Sequence, residues 1–451
     1  MRAKAYLRKI SFLVFSAILT CLTFESAWGG KVYKSRISPN WAKDGSHMWY
    51  RNDLAKGAKE YVLVDLKKGN RESAFDRDKL AQALIENGIK GVQGDRLPID
   101  RLEFDLSENQ AFFRSKGKPF TWDRKTHQLK EAKPPEIDKK PEEQKKAEDK
   151  PKGYRPSRKL SPDGKWTLYV RDHNLFAKPT GDGDEIQLSK DGKEGHGYKE
   201  AFWAPNSKHL VSFRVKPGEI SEVHLVESSP KGGGPAKLHT RKYPLPGDPF
   251  TTFELNWFDL STKRQVKPDV GLIDFRWPRL RWSPDGRKFH YLKIDRGHQR
   301  LRVIEFDTFT GQHRNVIDEV SDTFIWTEHP KDLGVPLVNW LTKSDEIIYL
   351  SEKDGWRHLY LIDVATGKIT NPITKGDFVV RYVDRIDEEK RQVWFRASGR
   401  NPGQDPYLMH YYRVNFDGTG LTPLTEGNGW HKIVYSPNRK FIIDTYSRVD
   451  L

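Results

Sequence analysis

The sequence predicts an all-β fold, a β-propeller of about eight blades with seven as the alternative, because two turn phrases recur along it. The first phrase places an aromatic or apolar residue before a tight turn. Its copies are Leu160-Ser161-Pro162-Asp163-Gly164, Trp203-Ala204-Pro205-Asn206-Ser207, Trp282-Ser283-Pro284-Asp285-Gly286, Tyr435-Ser436-Pro437-Asn438 and a degenerate Trp41-Ala42-Lys43-Asp44-Gly45. Strand, turn and strand repeated at roughly 40–60 residues are typical of propeller blades.

The residue types of this first phrase are those that a tight turn needs. Proline presets φ at the first corner, Asp or Asn hydrogen-bonds its own backbone, and glycine accepts a positive φ. The run after each turn alternates between the two faces of a strand. Examples are Trp166, Leu168 and Val170, or Phe289, Tyr291 and Lys293. This alternation predicts a half-buried strand after each turn.

The second phrase, Asp-x-x-Thr-Gly, predicts the hairpin that closes the third and fourth strands of a blade. Its copies are Asp307-Thr308-Phe309-Thr310-Gly311 and Asp363-Val364-Ala365-Thr366-Gly367, with looser ones at Asp65-Leu66-Lys67-Lys68-Gly69 and Asp259-Leu260-Ser261-Thr262-Lys263. Weaker blade onsets lie near Phe104, Trp340 and Tyr382. Together with the five copies of the first phrase, they give the count of about eight.

Two segments interrupt the blades. Residues 76–87 carry helix formers with Leu80, Ala81 and Leu84 at helical spacing, which predicts a short helical insertion. Residues 131–156 are rich in Glu, Lys and Pro and have no apolar period, so we expect a disordered linker inserted between blades. The linker is either a tolerated insertion or a functional tether. The propeller itself is assigned to residues 38–451.

The N-terminus has the pattern of a targeting segment. Basic residues precede an apolar stretch from Ile10 to Phe24, and small residues at Ala27 and Gly29 allow cleavage before Gly30. We therefore predict a signal peptide over residues 1–29 and a secreted or periplasmic protein, with an uncleaved N-terminal anchor as the alternative. No membrane span is expected after cleavage, because no other segment is long and apolar enough.

Composition narrows the function classes. The formal net charge is +16, yet acidic residues are mixed among the basic ones and no nucleic-acid module is recognisable, so no nucleic-acid partner is expected. The single cysteine, Cys21, lies within the apolar N-terminal run, which excludes a disulfide in the mature chain. The 14 histidines show no metal-ligand spacing. We predict neither a metal nor a cofactor.

Three stretches carry a more specific resemblance. They are Leu160 to Phe176, then Leu225 to Ser228 with Arg241 to Pro249 further on, and Ser351 to Tyr360 with its Asp354-Gly355-Trp356-Arg357-His358 core. From about Pro39 onward the chain resembles the N-terminal β-propeller of the dipeptidyl-peptidase IV family, which are prolyl-oligopeptidase-type serine peptidases.

The resemblance implies a function shared with a second domain. In that family an α/β-hydrolase domain carries the nucleophile in a Gly-x-Ser-x-Gly turn, and no serine of this sequence lies in such a turn. The interpretation is a non-catalytic propeller half that gates and positions peptide substrates, has no catalytic residue and is inactive alone. Its partners would be a separately encoded α/β-hydrolase subunit or further copies of itself. The alternative is a free-standing secreted scaffold that binds a protein or a cell-wall polymer.

The resemblance also suggests candidate site residues. Family members bind the substrate amine with an adjacent acidic pair, and the matching stretch, residues 191–203, contains Glu194 and Glu200, which are not adjacent. Each is either a substrate-binding carboxylate or a solvated loop residue. Glu352, Arg357 and His358 flank a hairpin. They form either a domain interface or a turn in which an Arg–Glu pair joins neighbouring blades.

Overall fold

The structure, a computed structural model, describes residues 33–34, 37–42, 44–132, 159–274, 278–327 and 336–450. The predicted signal peptide, residues 1–29, and all but the first two residues of the predicted linker, residues 131–156, lie outside these ranges. The chain divides into two compact units. The first comprises Met1–Lys146 with Gly429–Leu451, and the second comprises Ala147–Asn428.

In its described residues, the first unit contains two four-stranded antiparallel sheets, a two-stranded hairpin and one α-helix. One sheet is formed by β1 (Asn40–Trp41), β2 (His47–Asp53), β3 (Lys59–Asp65) and β4 (Asn70–Ser73), and the other by β5 (Asp100–Asp105), β6 (Gln110–Ser115), β7 (Lys118–Asp123) and β8 (Leu129–Glu131). Helix α1 (Arg77–Glu86) and two 3-10 turns (Ala55–Gly57, Gly94–Arg96) complete its N-terminal part, and the hairpin β30 (Trp430–Tyr435) and β31 (Ile442–Ser447) is its C-terminal part.

The described part of the second unit contains four four-stranded sheets, one three-stranded sheet and an inserted hairpin. The three-stranded sheet is formed by β9 (Trp166–Arg171), β10 (Asn174–Pro179) and β11 (Ile186–Gln187). The next sheet consists of β12 (Gly197–Trp203), β13 (His209–Lys216), β16 (Thr252–Asp259) and β17 (Arg264–Val266), with the hairpin β14 (Glu222–Glu227) and β15 (Lys237–Lys242) inserted between its two central strands. The third is β18 (Arg281–Trp282), β19 (Lys288–Ile294), β20 (Arg300–Asp307) and β21 (His313–Val320). The fourth is β22 (Val338–Trp340), β23 (Glu346–Ser351), β24 (His358–Asp363) and β25 (Ile369–Pro372), and the fifth is β26 (Val379–Asp387), β27 (Gln392–Ser398), β28 (Met409–Asn415) and β29 (Thr422–Pro423).

The predicted fold class is confirmed: the chain is all-β, and its sheets have the strand order of propeller blades. In every four-stranded sheet, neighbouring strands in space are neighbours in sequence, apart from the inserted hairpin. Within the described residues the eight predicted blade onsets, from Trp41 to Tyr435, each mark the beginning of a separate sheet. The count of about eight blades therefore agrees with the sheets observed.

The first turn phrase forms the predicted tight turn, and serine adds a capping role. Ser283 Oγ donates to Asp285 Oδ1 at 2.5 Å and accepts from Lys288 N at 2.9 Å, so one hydroxyl joins both ends of the turn. Gly286 has φ +70°. A Cβ at Gly286 would lie 2.6 Å from Asn206 Nδ2, because the turn of the preceding four-stranded sheet contacts it there. Glycine is therefore required at this position for both conformation and space.

The second phrase closes the outer hairpin of its sheets, as predicted. Asp307 Oδ1 accepts from the backbone N–H groups of Phe309 at 2.8 Å and Thr310 at 3.1 Å, and Gly311 has φ +74°. The looser copy forms the same turn, with Lys263 at φ +58° in the place of glycine. The aspartate thus fixes the turn even where a residue with a side chain occupies the left-handed position.

The helical insertion is also confirmed. Helix α1 has Asp76 as its N-cap, since the Asp76 carboxylate accepts from Lys79 N, and Asn87 as its C-cap. Leu80, Ala81 and Leu84 are buried in the core of the first unit. Apolar burial on one face together with an N-terminal carboxylate explains why this short segment is helical.

The core of the β18–β21 sheet includes one buried charge cluster. Glu305 is 5% exposed and accepts from Lys288 Nζ at 3.1 Å, His290 Nε2 at 2.9 Å and Arg314 Nε at 2.8 Å. Burial alone would raise the pKa of Glu305, but the hydrogen bonds from His290, Arg314 and Lys288 outweigh it and lower the pKa to about 2. The carboxylate form therefore stabilises the folded chain.

We expect Glu305 to make the second unit sensitive to acid. Because its pKa falls from an ordinary value of 4.5 to about 2 on folding, its contribution is present above pH 4.5 and is lost as pH falls towards 2. The contribution corresponds to about 3 kcal/mol. Urea unfolding at pH 7, 4 and 3 measures it. Glu305→Gln should reduce the loss of stability between pH 7 and 3, whereas the exposed Glu389→Gln should leave it unchanged. If the free energy of unfolding fell equally with pH in both variants, this assignment would be contradicted.

Candidate functional site

The candidate site lies at one end of the β12–β17 sheet, where three neighbouring strands place polar side chains side by side. Tyr198 on β12 is opposite Arg214 on β13, and Arg214 is opposite Glu254 on β16. Directly opposite residues in an antiparallel sheet share a face and lie within contact distance. Asp191, in the segment that leads into β12, completes the cluster through its contacts with Arg214.

Arg214 is the centre of this cluster. Its Nη1 donates to Asp191 Oδ2 at 2.9 Å and to the Asp191 carbonyl at 3.0 Å, and its Nε donates to Glu254 Oε2 at 2.7 Å. Its Nη2 also donates to Glu254. One guanidinium therefore holds a loop carboxylate on one side and a strand carboxylate on the other, in the fork geometry that arginine favours.

Asp191 has two further donors. Lys267 Nζ donates to Asp191 Oδ2 at 2.6 Å, and the Tyr198 hydroxyl donates to Asp191 Oδ1 at 2.9 Å. Burial would raise the pKa of Asp191, but the hydrogen bonds from Lys267 and Tyr198, with the charges of Lys267 and Arg214, hold it below its usual value. Burial and the nearby Asp191 carboxylate raise the pKa of Tyr198. Asp191 is thus ionised and Tyr198 protonated across the ordinary pH range.

His196 contacts the same carboxylate oxygen of Glu254 as Arg214 does. Its Nε2 lies 3.5 Å from Glu254 Oε2. Burial and the charge of Arg214 lower the pKa of His196, so it is neutral at pH 7. The two carboxylates, Arg214 and Lys267 therefore sum to no net charge, and each carboxylate already has a cation within hydrogen-bond distance. In this arrangement the cluster fixes the entrance to β12, and a further cation would have to compete with Arg214 or Lys267.

The structure places the predicted substrate-binding residues beside this cluster, in different surroundings. Glu194 is exposed in the short turn between Lys193 and His196, and it has no hydrogen bond or ion pair to any described residue. Glu200 is half-buried within β12, where the register shifts between Tyr198 and Ala201, and its carbonyl accepts from Ser212 Oγ at 2.8 Å. The two glutamates are therefore carried by a turn and a β-bulge.

Sequence reasoning missed Arg214, Glu254 and Lys267. A detectable signal was available for the first, because Arg214 lies between the apolar residues Phe213 and Val215 of β13. A charged residue inside such a strand requires a partner. The identity of that partner was not available, since Glu254 is 40 residues further along the chain.

The predicted interface residues divide into an exposed and a buried part. Arg357 is 4% exposed and its guanidinium donates to the carbonyls of Val380 at 2.7 Å and Arg381 at 2.8 Å on β26, while the Trp326 ring lies 4.6 Å from its Cζ. Burial lowers the pKa of Arg357 to about 10. Arg357 therefore joins its own sheet to the next one.

His358 is also buried, whereas Glu352 is exposed. The His358 ring is held by Thr374 Oγ1 at 3.1 Å and the Gly376 carbonyl at 2.8 Å, and burial lowers its pKa. Beside Glu352 the Trp356 ring is 43% exposed. A cavity of about 240 Å³ opens next to this hairpin, lined by residues that include Trp326, Glu352 and Arg357. Of the three predicted residues, Glu352 is the one available to a partner.

The first unit has two adjoining cavities of its own. Their volumes are about 440 and 520 Å³, and both are lined by Lys34, Asn52 and Tyr61. Lys34 Nζ lies 2.9 Å from Glu60 Oε2, and Asn52 Nδ2 donates to the same oxygen at 2.9 Å. The charges that line these cavities are of both signs, so they do not define one ligand chemistry.

Neither a metal-binding cluster nor a membrane-spanning helix is found in the described part of the chain. No group of three or more His, Cys, Asp or Glu side chains there is arranged to hold a metal ion. None of the helices described is long and apolar enough to cross a bilayer.

Comparison with known proteins gives consistent matches. The family model described as "Dipeptidyl peptidase IV (DPP IV) N-terminal region" matches residues 124–451. The "Probable dipeptidyl-aminopeptidase B" of Aspergillus fumigatus is 24% identical over 321 residues, which cover 63% of this chain and 34% of that protein. The "Probable dipeptidyl peptidase 4" of Aspergillus flavus is 23% identical over 319 residues, 64% of this chain and 40% of that protein.

A solved structure, the dipeptidyl peptidase 4 of Porphyromonas gingivalis, is similar over 92% of this chain and 56% of its own, with a TM-score of 0.43 and 16% identity. The chain spans little more than a third of the length of the curated relatives it matches.

We expect Arg214 to be the side chain on which the cluster depends. Arg214→Met should lower the free energy of unfolding by about 2 kcal/mol or more, because it leaves Asp191 and Glu254 partly buried without their shared donor. Urea unfolding at pH 7 measures the change. Lys343→Met, which removes an exposed ion pair with Glu389, should cost less than about 0.5 kcal/mol. If the two variants cost the same, the cluster is an ordinary surface ion pair.

Proposed function

The chain belongs to the family described as the dipeptidyl peptidase IV N-terminal region, and from this membership we propose that it is the non-catalytic propeller part of a serine peptidase. In this proposal it gates the entry of peptides and positions them for proteolysis. The family match over residues 124–451 is the observation that carries the proposal. The names of the relatives, a dipeptidyl-aminopeptidase and a dipeptidyl peptidase, support peptides as the substrate class.

The proposal assigns bond cleavage to an α/β-hydrolase domain outside these 451 residues. No Gly-x-Ser-x-Gly turn occurs within the sequence given. Such a turn is needed to expose the nucleophile at the end of a strand, next to its histidine and aspartate partners. The exposed Glu352 and the neighbouring Trp356 are proposed as part of the surface that contacts the hydrolase. Arg357 and His358 would support that surface from beneath.

Substrate positioning is proposed to involve the turn that Arg214 and Asp191 hold in place. Asp191 and Glu254 are already neutralised by Arg214 and Lys267. Glu194 is exposed beside them and has no cation partner among the described residues. An unpaired carboxylate is the group that attracts a substrate ammonium. We therefore retain Glu194 as a proposed amine-binding residue, and we retain Glu200, on the following strand, from the family resemblance alone.

We also propose that the protein is exported, as a secreted or periplasmic protein, after cleavage of residues 1–29. Its partners would be a separately encoded hydrolase subunit or further copies of the chain. The second candidate function is a free-standing scaffold that binds an anionic cell-wall polymer, and the net charge of +16 favours it. The two functions differ in whether the chain changes peptide turnover.

The central test is reconstitution. We expect the purified chain alone neither to hydrolyse a Pro-containing dipeptide amide nor to react with a fluorophosphonate, because it lacks the nucleophile turn. When a separately produced α/β-hydrolase domain encoded next to this sequence is added, we expect a complex in sedimentation and a changed cleavage rate. If the chain instead remains separate from the hydrolase and pellets with a cell-wall polymer, the scaffold function is established.

The amine-binding proposal has its own test. Isothermal titration calorimetry measures the affinity of the chain for a free-amine dipeptide and for its N-acetyl derivative, which lacks the ammonium group. Glu194→Gln combined with Glu200→Gln should weaken binding of the free-amine peptide by about tenfold, since one charge-assisted contact is lost. The matched control is Glu219→Gln, which changes an exposed glutamate of the same unit. Equal affinities for the free-amine peptide in all variants would remove both glutamates from the site.

A further inference from the structure

A cluster of buried hydrogen-bond donors lies on one face of the β18–β21 sheet. Tyr291 and Lys293 are two residues apart on β19 and therefore share a face. Lys293 is directly opposite Arg302 on β20, and Tyr291 is opposite Ile304. Two cationic side chains and a phenol are thus neighbours within the core. Like charges directly opposite each other in a sheet are destabilising unless something compensates them.

Tyr291, Lys293 and the Nε atom of the partly buried Arg302 are shielded from solvent and short of acceptors. Tyr291 is 2% exposed and Lys293 is 6% exposed. Among the described residues, neither the Tyr291 hydroxyl nor Arg302 Nε has a hydrogen-bond partner. Lys293 Nζ donates to the Val270 carbonyl at 3.2 Å. Buried polar atoms without a partner are uncommon in folded proteins, and an ion or a water molecule is a usual explanation.

The nearby carboxylates do not supply the missing acceptors. Asp295 Oδ1 pairs with Arg302 Nη2 and lies 3.9 Å from Lys293 Nζ, so one oxygen faces both cations. Asp274 adds electrostatic attraction to Lys293. Arg300, the next cation on β20, is engaged by Asp318 at 2.7 and 2.8 Å. Arg302 Nε and the Tyr291 hydroxyl therefore remain without an acceptor beside a second buried cation.

The backbone also approaches this cluster closely. Gly271 has φ +68°, and a Cβ placed there would lie 3.2 Å from Lys293 Nζ. The glycine thus lets the segment after β17 pass directly over the ammonium. This segment supplies one carbonyl, that of Val270, to Lys293.

We propose that Tyr291, Lys293 and Arg302 form a binding site for one small monovalent anion, with chloride as the ligand to test. The anion accepts from the Tyr291 hydroxyl, Lys293 Nζ and Arg302 Nε, and it adds to the compensation that Asp295 gives the two cations. This site is independent of peptide binding and of any hydrolase domain. Its expected effect is to stabilise the second unit, because an anion that binds only the folded chain shifts the unfolding equilibrium.

The test uses the full chain in sodium chloride and in sodium gluconate at equal ionic strength. We expect the melting temperature to be higher in chloride by about 2–4 °C. Crystals soaked in sodium bromide should show an anomalous peak within hydrogen-bond distance of Lys293 Nζ. Equal melting temperatures in the two salts together with no bromide peak would overturn the proposal and leave water as the occupant.

Variants show which side chains the chloride stabilisation depends on. Lys293→Met should abolish the difference between the two salts, and the matched control Arg300→Met, on the same strand as Arg302, should retain it. If Lys293→Met does not fold, Tyr291→Phe keeps the ring and removes one donor. In Tyr291→Phe, the chloride concentration that gives half of the stabilisation should rise by about tenfold. A salt difference that persists unchanged in Lys293→Met or Tyr291→Phe would place the anion elsewhere and contradict the proposal.

Discussion

The whole architecture depends on reversing an extended chain every few residues without leaving backbone donors unpaired. One device achieves this repeatedly: an Asp or Asn side chain accepts from the backbone N–H groups two and three residues ahead, and a left-handed residue follows. Asp307 does so in one outer hairpin, and in another Asp363 accepts from the backbone N–H of Thr366, three residues ahead. In the inner turns the side chain also reaches a neighbouring turn, since Asn206 Nδ2 donates to the Asp285 carbonyl at 3.2 Å. Strand register and the contacts between consecutive turns therefore have a common origin.

This local origin explains how much of the fold could be predicted. The eight sheet onsets, the outer hairpins and helix α1 depend on residues within about five positions of one another, so a single sequence displays them. Even degenerate copies form, because the capping carboxylate or amide is kept where glycine is not. Ser207 and Lys263 accept positive φ values of 58° each. The inserted β14–β15 hairpin has no such signature, and it was not predicted as a pair of strands.

The candidate site could be predicted only as a region. Residues 191–203 were identified as the relevant stretch, but the cluster that holds it draws Arg214 from 23 residues beyond Asp191 and Lys267 from 76 residues beyond. Such partners are chosen by the strand order of the sheet, which a local pattern does not encode. The same reason applies to Arg357, whose hydrogen-bond acceptors belong to the first strand of the following sheet.

The composition of the first unit has a consequence for the order of events during biosynthesis. Ile443 packs with Ile37 and Met48 in one core, and a Cβ at Gly45 would collide with the Asn438 side chain at 2.1 Å. The first strands to leave the ribosome therefore cannot complete this core until the last strands have been synthesised. At ordinary elongation rates, the roughly 380 residues between β2 and β30 take about 20–75 s to synthesise. During that interval the apolar face of β2 is a suitable binding site for a holding chaperone. A ribosome stalled before residue 429 would release a chain whose first unit is incomplete.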